Sequence, residues 1–276
     1  MNKDLSPALY EKFCHFLHTK SGIVLGGSKQ YLVRSRMVPL LHRHGLTDID
    51  QLIEKIMRQS DSGLTQSAIE AMTTNETLWF RDKYPFSILK NTILPELAKK
   101  QNRLRIWSAA SSTGQEAYSI AITIAEFKKS YPSAFQGGIQ ILGTDLSNTV
   151  VAQAKAATYD ELSLSRGLED DVKRKYFEHH DNKTMSVVSA IRKWVDFKQF
   201  NLTTSFASLG KFDVVFCRNV LIYFDSEQKK RILQNISASL QSEGSLILGA
   251  SESLGGASAH FKMLTQPSGL YYRKSA

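Results

Sequence analysis

The chain has 276 residues, 42% hydrophobic and 22% charged, with a formal net charge of +9. That is the range of an ordinary soluble globular protein. No apolar run approaches the roughly 20 residues that cross a bilayer, and the start M-N-K-D-L-S-P has no apolar signal core. Two cysteines in unrelated contexts, Cys14 and Cys217, make neither a disulfide framework nor a zinc site. A cytoplasmic protein without a metal is expected, holding one large domain or a domain of roughly 180 residues with a smaller companion.

The charge is uneven. Six basic and no acidic residues lie between Lys12 and Thr47. Such a surface suits nucleic acid, an anionic membrane face or an acidic protein, with a solvated basic face as the bland alternative.

In chain order, residues 1–72 read as helices. Pro7 to Thr19 carries Leu9, Phe13, Phe16 and Leu17 at helical spacing. Gly26 and Gly27 break the chain, and Ser28 is expected to cap the next helix, Ser28 to His44. There Val33, Met37, Leu40 and Leu41 form one stripe, and Lys29, Arg36 and Arg43 share a neighbouring one. Pro39 should kink or split this helix. Asp50 to Arg58 and Ser62 to Met72 read as further helices. Thr73 and Glu76 then have the spacing of a capping box.

From Leu104 short apolar runs alternate with helical stretches. Strands are predicted at Arg105 to Ala110, Ile139 to Thr144, Phe212 to Cys217 and Ser245 to Ala250. Helices are predicted at Gln115 to Lys129, Asn148 to Ala157 and Ser226 to Gln241. That rhythm argues a mainly parallel sheet covered on both faces. Strand-like pieces at Tyr176–His179, Met185–Val188 and Trp194–Phe197, with a turn at Asp181-Asn182, read as a small antiparallel insertion.

Ligands of such sheets sit at the carboxyl ends of the strands. The first strand ends in S-A-A-S-S-T-G-Q-E, where small residues and Gly114 allow close backbone approach. Neither G-x-G-x-x-G nor a P-loop is present, and Glu116 would repel a pyrophosphate but attract an ammonium. Asp145 ends the second strand, where an acid commonly accepts from ribose hydroxyls. Asn201 and Leu202 could hold an adenine. Arg218 and Asn219 interrupt an apolar run, which is costly for packing alone. A nucleoside with an amino acid end and no phosphates fits this set, and S-adenosylmethionine is such a molecule.

At this point the chain resembles the CheR family of chemoreceptor glutamate methyltransferases. The resemblance rests on T-T-N-E-T-L-W-F-R (73–81), R-I-W-S-A-A-S-S-T-G-Q-E-A-Y-S (105–119), G-T-D (143–145), F-C-R-N-V-L-I-Y-F-D (216–225) and Y-L-V-R-S-R-M (31–37). It implies an α/β protein: a helical N-terminal docking domain (1–72), a linker contributing to the active site (73–91), and a doubly wound, Rossmann-like methyltransferase domain (92–276). The last would carry a small antiparallel β-subdomain at about 163–199. Cofactor contacts are implied for Asn75, Thr77, Arg81, Glu116, Asp145, Asn201, Leu202, Arg218 and Asn219. Arg81 and Tyr223 are placed beside the transferring methyl. The family often has Cys, Glu and Pro where this chain has Ser111, Gln115 and Ala117.

Methyl transfer to a carboxylate needs no general base, so a chain without a Ser/His/Asp or Cys/His constellation is expected. Lys29, Arg34, Arg36 and Arg43 could dock on the helical bundle of a receptor. In some family members the insertion binds a pentapeptide tether through a glycine-containing loop. Glu178 to Ser189 is short and has no glycine, so independence of a tether is expected. A nucleic-acid methyltransferase would want exposed aromatics among the basic residues and a motif such as N-P-P-Y, and neither is evident. The protein is expected to act as a monomer, with no nucleic-acid partner and no insertion into a membrane.

Overall fold

Helical apolar spacing up to Met72 yields four helices: α1 (Pro7–Ser21), α2 (Gln30–Arg43), α3 (Ile49–Met57) and α4 (Ser62–Met72). The computed structural model describes residues 5–275, so the M-N-K-D start of the expected helical domain lies outside the described residues. The side chains of Asp48 and Asp61 accept from Asp50 and Leu64 N–H groups and start α3 and α4. The predicted stripe of α2, Val33, Met37, Leu40 and Leu41, is buried. Two details differ from expectation. Lys29 rather than Ser28 is the N-cap of α2, and no side chain caps it. The helix also runs unbroken through Pro39, which is exposed, so the missing N–H and the ring lie on the solvent side.

The chain divides into two compact units: residues up to Thr74 with Tyr223–Gln228, and Asn75–Ile222 with the residues from Lys229 on. The second unit opens with α5 (Tyr84–Ile88), a π-helical turn and α6 (Leu94–Lys100). Then follow β1 (Arg103–Ala109), α7 (Gln115–Ser130), β2 (Gly138–Asp145), α8 (Asn148–Ala156), β3 (Thr158–Asp160), α9 (Glu161–Ser165), α10 (Asp170–Tyr176), β4 (Phe177–His179), β5 (Thr184–Val187) and α11 (Ser189–Arg192). After them come β6 (Val195–Gln199), β7 (Phe212–Cys217), α12 (Ser226–Ser239), β8 (Leu240–Leu248), β9 (Phe261–Gln266) and β10 (Gly269–Lys274). Among the described residues seven strands form one sheet in the order β6-β2-β1-β7-β8-β10-β9. The first five run parallel, and β10 and β9 add antiparallel at the edge. Every residue of β7 is buried, as expected of a central strand covered on both faces. Ile106, Trp107, Val214, Phe216 and Ile247 lie at the heart of the sheet, each 0% exposed.

A separate three-stranded antiparallel sheet, β3-β5-β4, lies between β2 and β6 in sequence. Here the structure corrects the predicted insertion. Its third strand is Thr158–Asp160, before residue 163, whereas Val195–Gln199 joins the main sheet parallel to β2. A close side-chain fit accompanies this pairing: a Cβ on Gly143 of β2 would lie 2.4 Å from the Phe197 ring. Only a bare backbone there lets that ring settle on the sheet. Asp181 makes the predicted turn between β4 and β5, its Oδ1 accepting from the Lys183 and Thr184 N–H groups at 2.7 Å each.

Candidate active site

The turn after β1 is built from left-handed backbone at Ala110 (φ 57°), Ser112 (φ 50°) and Gly114 (φ 95°). Amides in such a run form a concave donor surface. Gly114 is obligatory there, because a Cβ would meet Ala154 Cβ and the Phe197 ring at 3.0 Å in addition to the positive φ. Four bonds pin the turn. Ser111 N–H donates to the Thr144 carbonyl at 2.8 Å, Ser112 N–H to Asp145 Oδ2 at 2.9 Å, Ser112 Oγ to the Asn75 carbonyl at 2.8 Å, and the Tyr159 hydroxyl to the Thr113 carbonyl at 2.8 Å. Burial holds the Tyr159 phenol well above its usual pKa, so it stays a donor.

Asn75, Ser112 and Asp145 thus meet at the carboxyl end of the sheet. Asp145 is 7% exposed, and its Oδ1 accepts from Ser147 N–H at 3.1 Å. Its carbonyl accepts from Phe200 N–H at 2.7 Å, which brings Asn201 and the buried Leu202 alongside. Asn201 Oδ1 accepts from the Thr203 N–H at 2.9 Å and hydroxyl at 2.8 Å, which fixes the turn after β6. Among the described residues no hydrogen bond ties Thr77 to this group.

Arg218, at the tip of β7, gathers the other half. Its side chain is 1% exposed, with Nη1 donating to Glu116 Oε2 at 2.9 Å and Nη2 to Asp82 Oδ2 at 2.5 Å and the Arg81 carbonyl at 2.9 Å. Glu116 Oε1 accepts from Ser108 Oγ at 2.8 Å. A buried guanidinium flanked by two carboxylates is compensated, which is what allows it to sit there. Asp82 carries no signal in the sequence beyond its place after Arg81. It lies in a loop where Phe80 (φ 47°), Asp82 (φ 68°) and Lys83 (φ 52°) are all left-handed. Arg81 is half-buried and donates from Nη1 to the Glu76 carbonyl at 3.2 Å.

The capping-box reading of Thr73 and Glu76 does not hold. Thr73 ends α4, with its hydroxyl on the Glu70 carbonyl at 2.7 Å, and the next helix begins only at Tyr84. The extended segment between is held instead by Trp79, whose N–H donates to the Arg166 carbonyl at 3.0 Å. Glu76 pairs with Arg166 at 2.9 Å.

Tyr223 groups with the helical unit, its carbonyl accepting from Val24 N–H at 2.9 Å. In that unit Lys29 and Arg43 are exposed and Arg34 is half-buried. Arg36 is engaged internally: Nη1 donates to the Met72 and Thr73 carbonyls at 2.7 and 2.8 Å, and Nη2 to Thr74 Oγ1 at 2.9 Å. Sequence reasoning does not single out Glu252, which lies just beyond β8 and accepts hydrogen bonds from backbone amides at the tip of β7. Its one signal is a lone acid in the small-residue run G-A-S-E-S.

Burial, with the Glu252 and Glu116 charges adding to it, pushes the Cys217 thiol far up, so it stays protonated and is no nucleophile. Among the described residues no cluster of His, Cys, Asp or Glu could hold a metal ion. Arg218 Nε and Ser111 Oγ are buried without a partner. A carboxylate brought to Arg218 Nε would satisfy it, so the residues fit an amino-acid nucleoside such as S-adenosylmethionine.

Comparison with known proteins converges on one family. The model described as "CheR methyltransferase, all-alpha domain" matches residues 8–73, and "CheR methyltransferase, SAM binding domain" matches 75–270. The chain is 46% identical over 266 residues to "Chemotaxis protein methyltransferase Cher2" of Pseudomonas putida, covering 96% of this chain and 97% of that protein. It is 47% identical over 266 residues to "Chemotaxis protein methyltransferase 1" of Pseudomonas aeruginosa, with the same coverage. To the Vibrio cholerae protein of that name it is 44% identical over 269 residues, 98% of each chain. The chain belongs to the CheR family of chemotaxis methyltransferases, and its carboxyl-terminal part is an S-adenosylmethionine-binding domain.

Proposed function

We propose that this enzyme methylates glutamate γ-carboxylates on the cytoplasmic helical bundle of methyl-accepting chemoreceptors, acting as a cytoplasmic monomer. The observation that carries this is the Arg218 brace on the Arg81–Asp82 loop. It fixes the loop that carries the Arg81 cation at the strand tips of the cofactor-binding domain. A glutamate carboxylate, with an ordinary pKa near 4.3, is already ionised at neutral pH and needs no base. Bound S-adenosylmethionine would supply a methyl on a sulfonium, whose transfer to a carboxylate oxygen with loss of the sulfur–carbon bond would give a methyl ester and S-adenosylhomocysteine.

The chain's own work is therefore positioning, which supplies about 7–11 kcal/mol in favourable cases. Asp145 accepts from the ribose, Asn201 and Leu202 hold the adenine, and Glu116 takes the ammonium. Asn75, Thr77, Arg218 and Asn219 complete that pocket. Arg81 steers a carboxylate with its planar fork, and Tyr223 orients the acceptor. Lys29, Arg34 and Arg43 meet the acidic face of the receptor, while Arg36 braces the segment at 72–74. The glycine-free hairpin in Glu178 to Ser189 accords with independence of a receptor tether.

Incubation with radiolabelled S-adenosylmethionine and receptor cytoplasmic fragments should give label that is released by base, with RNA left unlabelled. Label stable to base, or none on receptor, refutes the reading; calorimetric binding of a free tether pentapeptide would refute tether independence.

A further inference from the structure

The carboxylate of Glu252 is enclosed by four backbone N–H donors. Oε1 accepts from Val220 at 2.9 Å and Leu221 at 2.7 Å, and Oε2 from Asn219 at 2.7 Å and Gly249 at 2.9 Å. Three of these are consecutive amides following β7, and the fourth follows β8. Asn219 has φ 56°, in the left-handed region that asparagine takes more readily than most residues with a side chain. Consecutive amides in such a turn form an anion-binding hollow, and here the chain's own carboxylate fills it. The approach is close: a Cβ on Gly249 would lie 2.6 Å from Glu252 Oε2 and 3.0 Å from Asn219 N. The enclosed turn carries Asn219 at one end and continues at the other into the single 3-10 turn Leu221–Tyr223.

We infer that Glu252 is a positioning residue for methyl transfer, acting through Asn219 on the cofactor side. It holds the tip of β7 in the conformation that aims the Asn219 side chain. The charge matters because all four partners are donors. A glutamine of the same shape would turn an NH2 group toward two of them, so two amides would lose their acceptor and meet another donor. This inference rests on the methyltransferase reading.

The test uses the full chain as E252Q and E252D. It measures S-adenosylhomocysteine binding by calorimetry, and kcat and KM for S-adenosylmethionine and receptor fragment per titrated site. E252Q should weaken S-adenosylhomocysteine binding and raise the S-adenosylmethionine KM by about tenfold, roughly the loss of one charged acceptor from a buried amide. Receptor KM should stay unchanged. E252D, which keeps the charge but cannot reach all four donors, should fall between. An E252Q protein that melts lower yet keeps wild-type constants per titrated site overturns the inference and leaves Glu252 a plain brace. If E252Q does not fold, E252D decides, and wild-type constants in it overturn the inference equally. If wild-type enzyme leaves receptor unmethylated, the substrate reading fails, while the calorimetric comparison still decides the role of Glu252.

Discussion

Arg81 is held from two directions, its guanidinium on the Glu76 carbonyl and its own carbonyl under Arg218. A side chain so placed can turn its remaining donors to a carboxylate without searching many rotamers. Arg81→Ala should lower kcat/KM for receptor methylation roughly tenfold to a hundredfold, the worth of a hydrogen bond to a charged group of about 1.5–3 kcal/mol. Arg81→Lys should recover only part, because it keeps charge but loses the fork. Full activity in the alanine variant, with cofactor binding unchanged by calorimetry, would remove Arg81 from the mechanism. The positions of Asp145, Glu116 and Arg218 at or after the strand ends were readable in the sequence, because polar groups there have few packing explanations. Asp82 and Glu252 were not, since their partners lie far along the chain and only folding brings them together.

Among the elements, the extended stretch before Arg81 depends on the connection from α9 to α10. Gly167 has φ 89°, and a Cβ there would lie 2.2 Å from the Trp79 carbonyl. Trp79 is 0% exposed and meets Tyr159 and Phe177 edge-on, at 4.9 and 5.0 Å between ring centroids. Gly167→Ala should therefore destabilise the protein by at least about 2 kcal/mol, from backbone strain and overpacking together. Chemical denaturation measures this, and methylation should fall with it because Arg81 lies two residues beyond Trp79. A wild-type midpoint would show that this contact relaxes freely. Element types followed from periodicity, which is why α4 and β7 begin and end where the sequence predicts. The three-residue β3 has no periodicity to read, and β6 reads as a strand without saying which sheet it joins.

At the scale of the whole molecule the charge of +9 sets how an acidic partner is met. Raising salt from 0.1 to 1 M shortens the Debye length from about 10 Å to about 3 Å. The receptor KM should then rise by roughly fivefold or more with kcat little changed, as expected of rim charges that steer encounter. Reversing Lys29 and Arg43 should flatten that dependence. Arg36 is unsuited to the test, because its bonds to Met72, Thr73 and Thr74 would be lost with its charge. By itself the sequence determined the helical first part and the parallel α/β second part, since these follow from local period, and it marked polar residues at strand ends where packing wants none. Only the tertiary structure decided which carboxylates neutralise Arg218, that Glu252 fills the hollow beyond β7, and that β6 leaves the insertion for the main sheet. Those are pairings between distant segments, chosen by mutual burial and by the need of each buried charge or amide for a partner, and no local pattern records them.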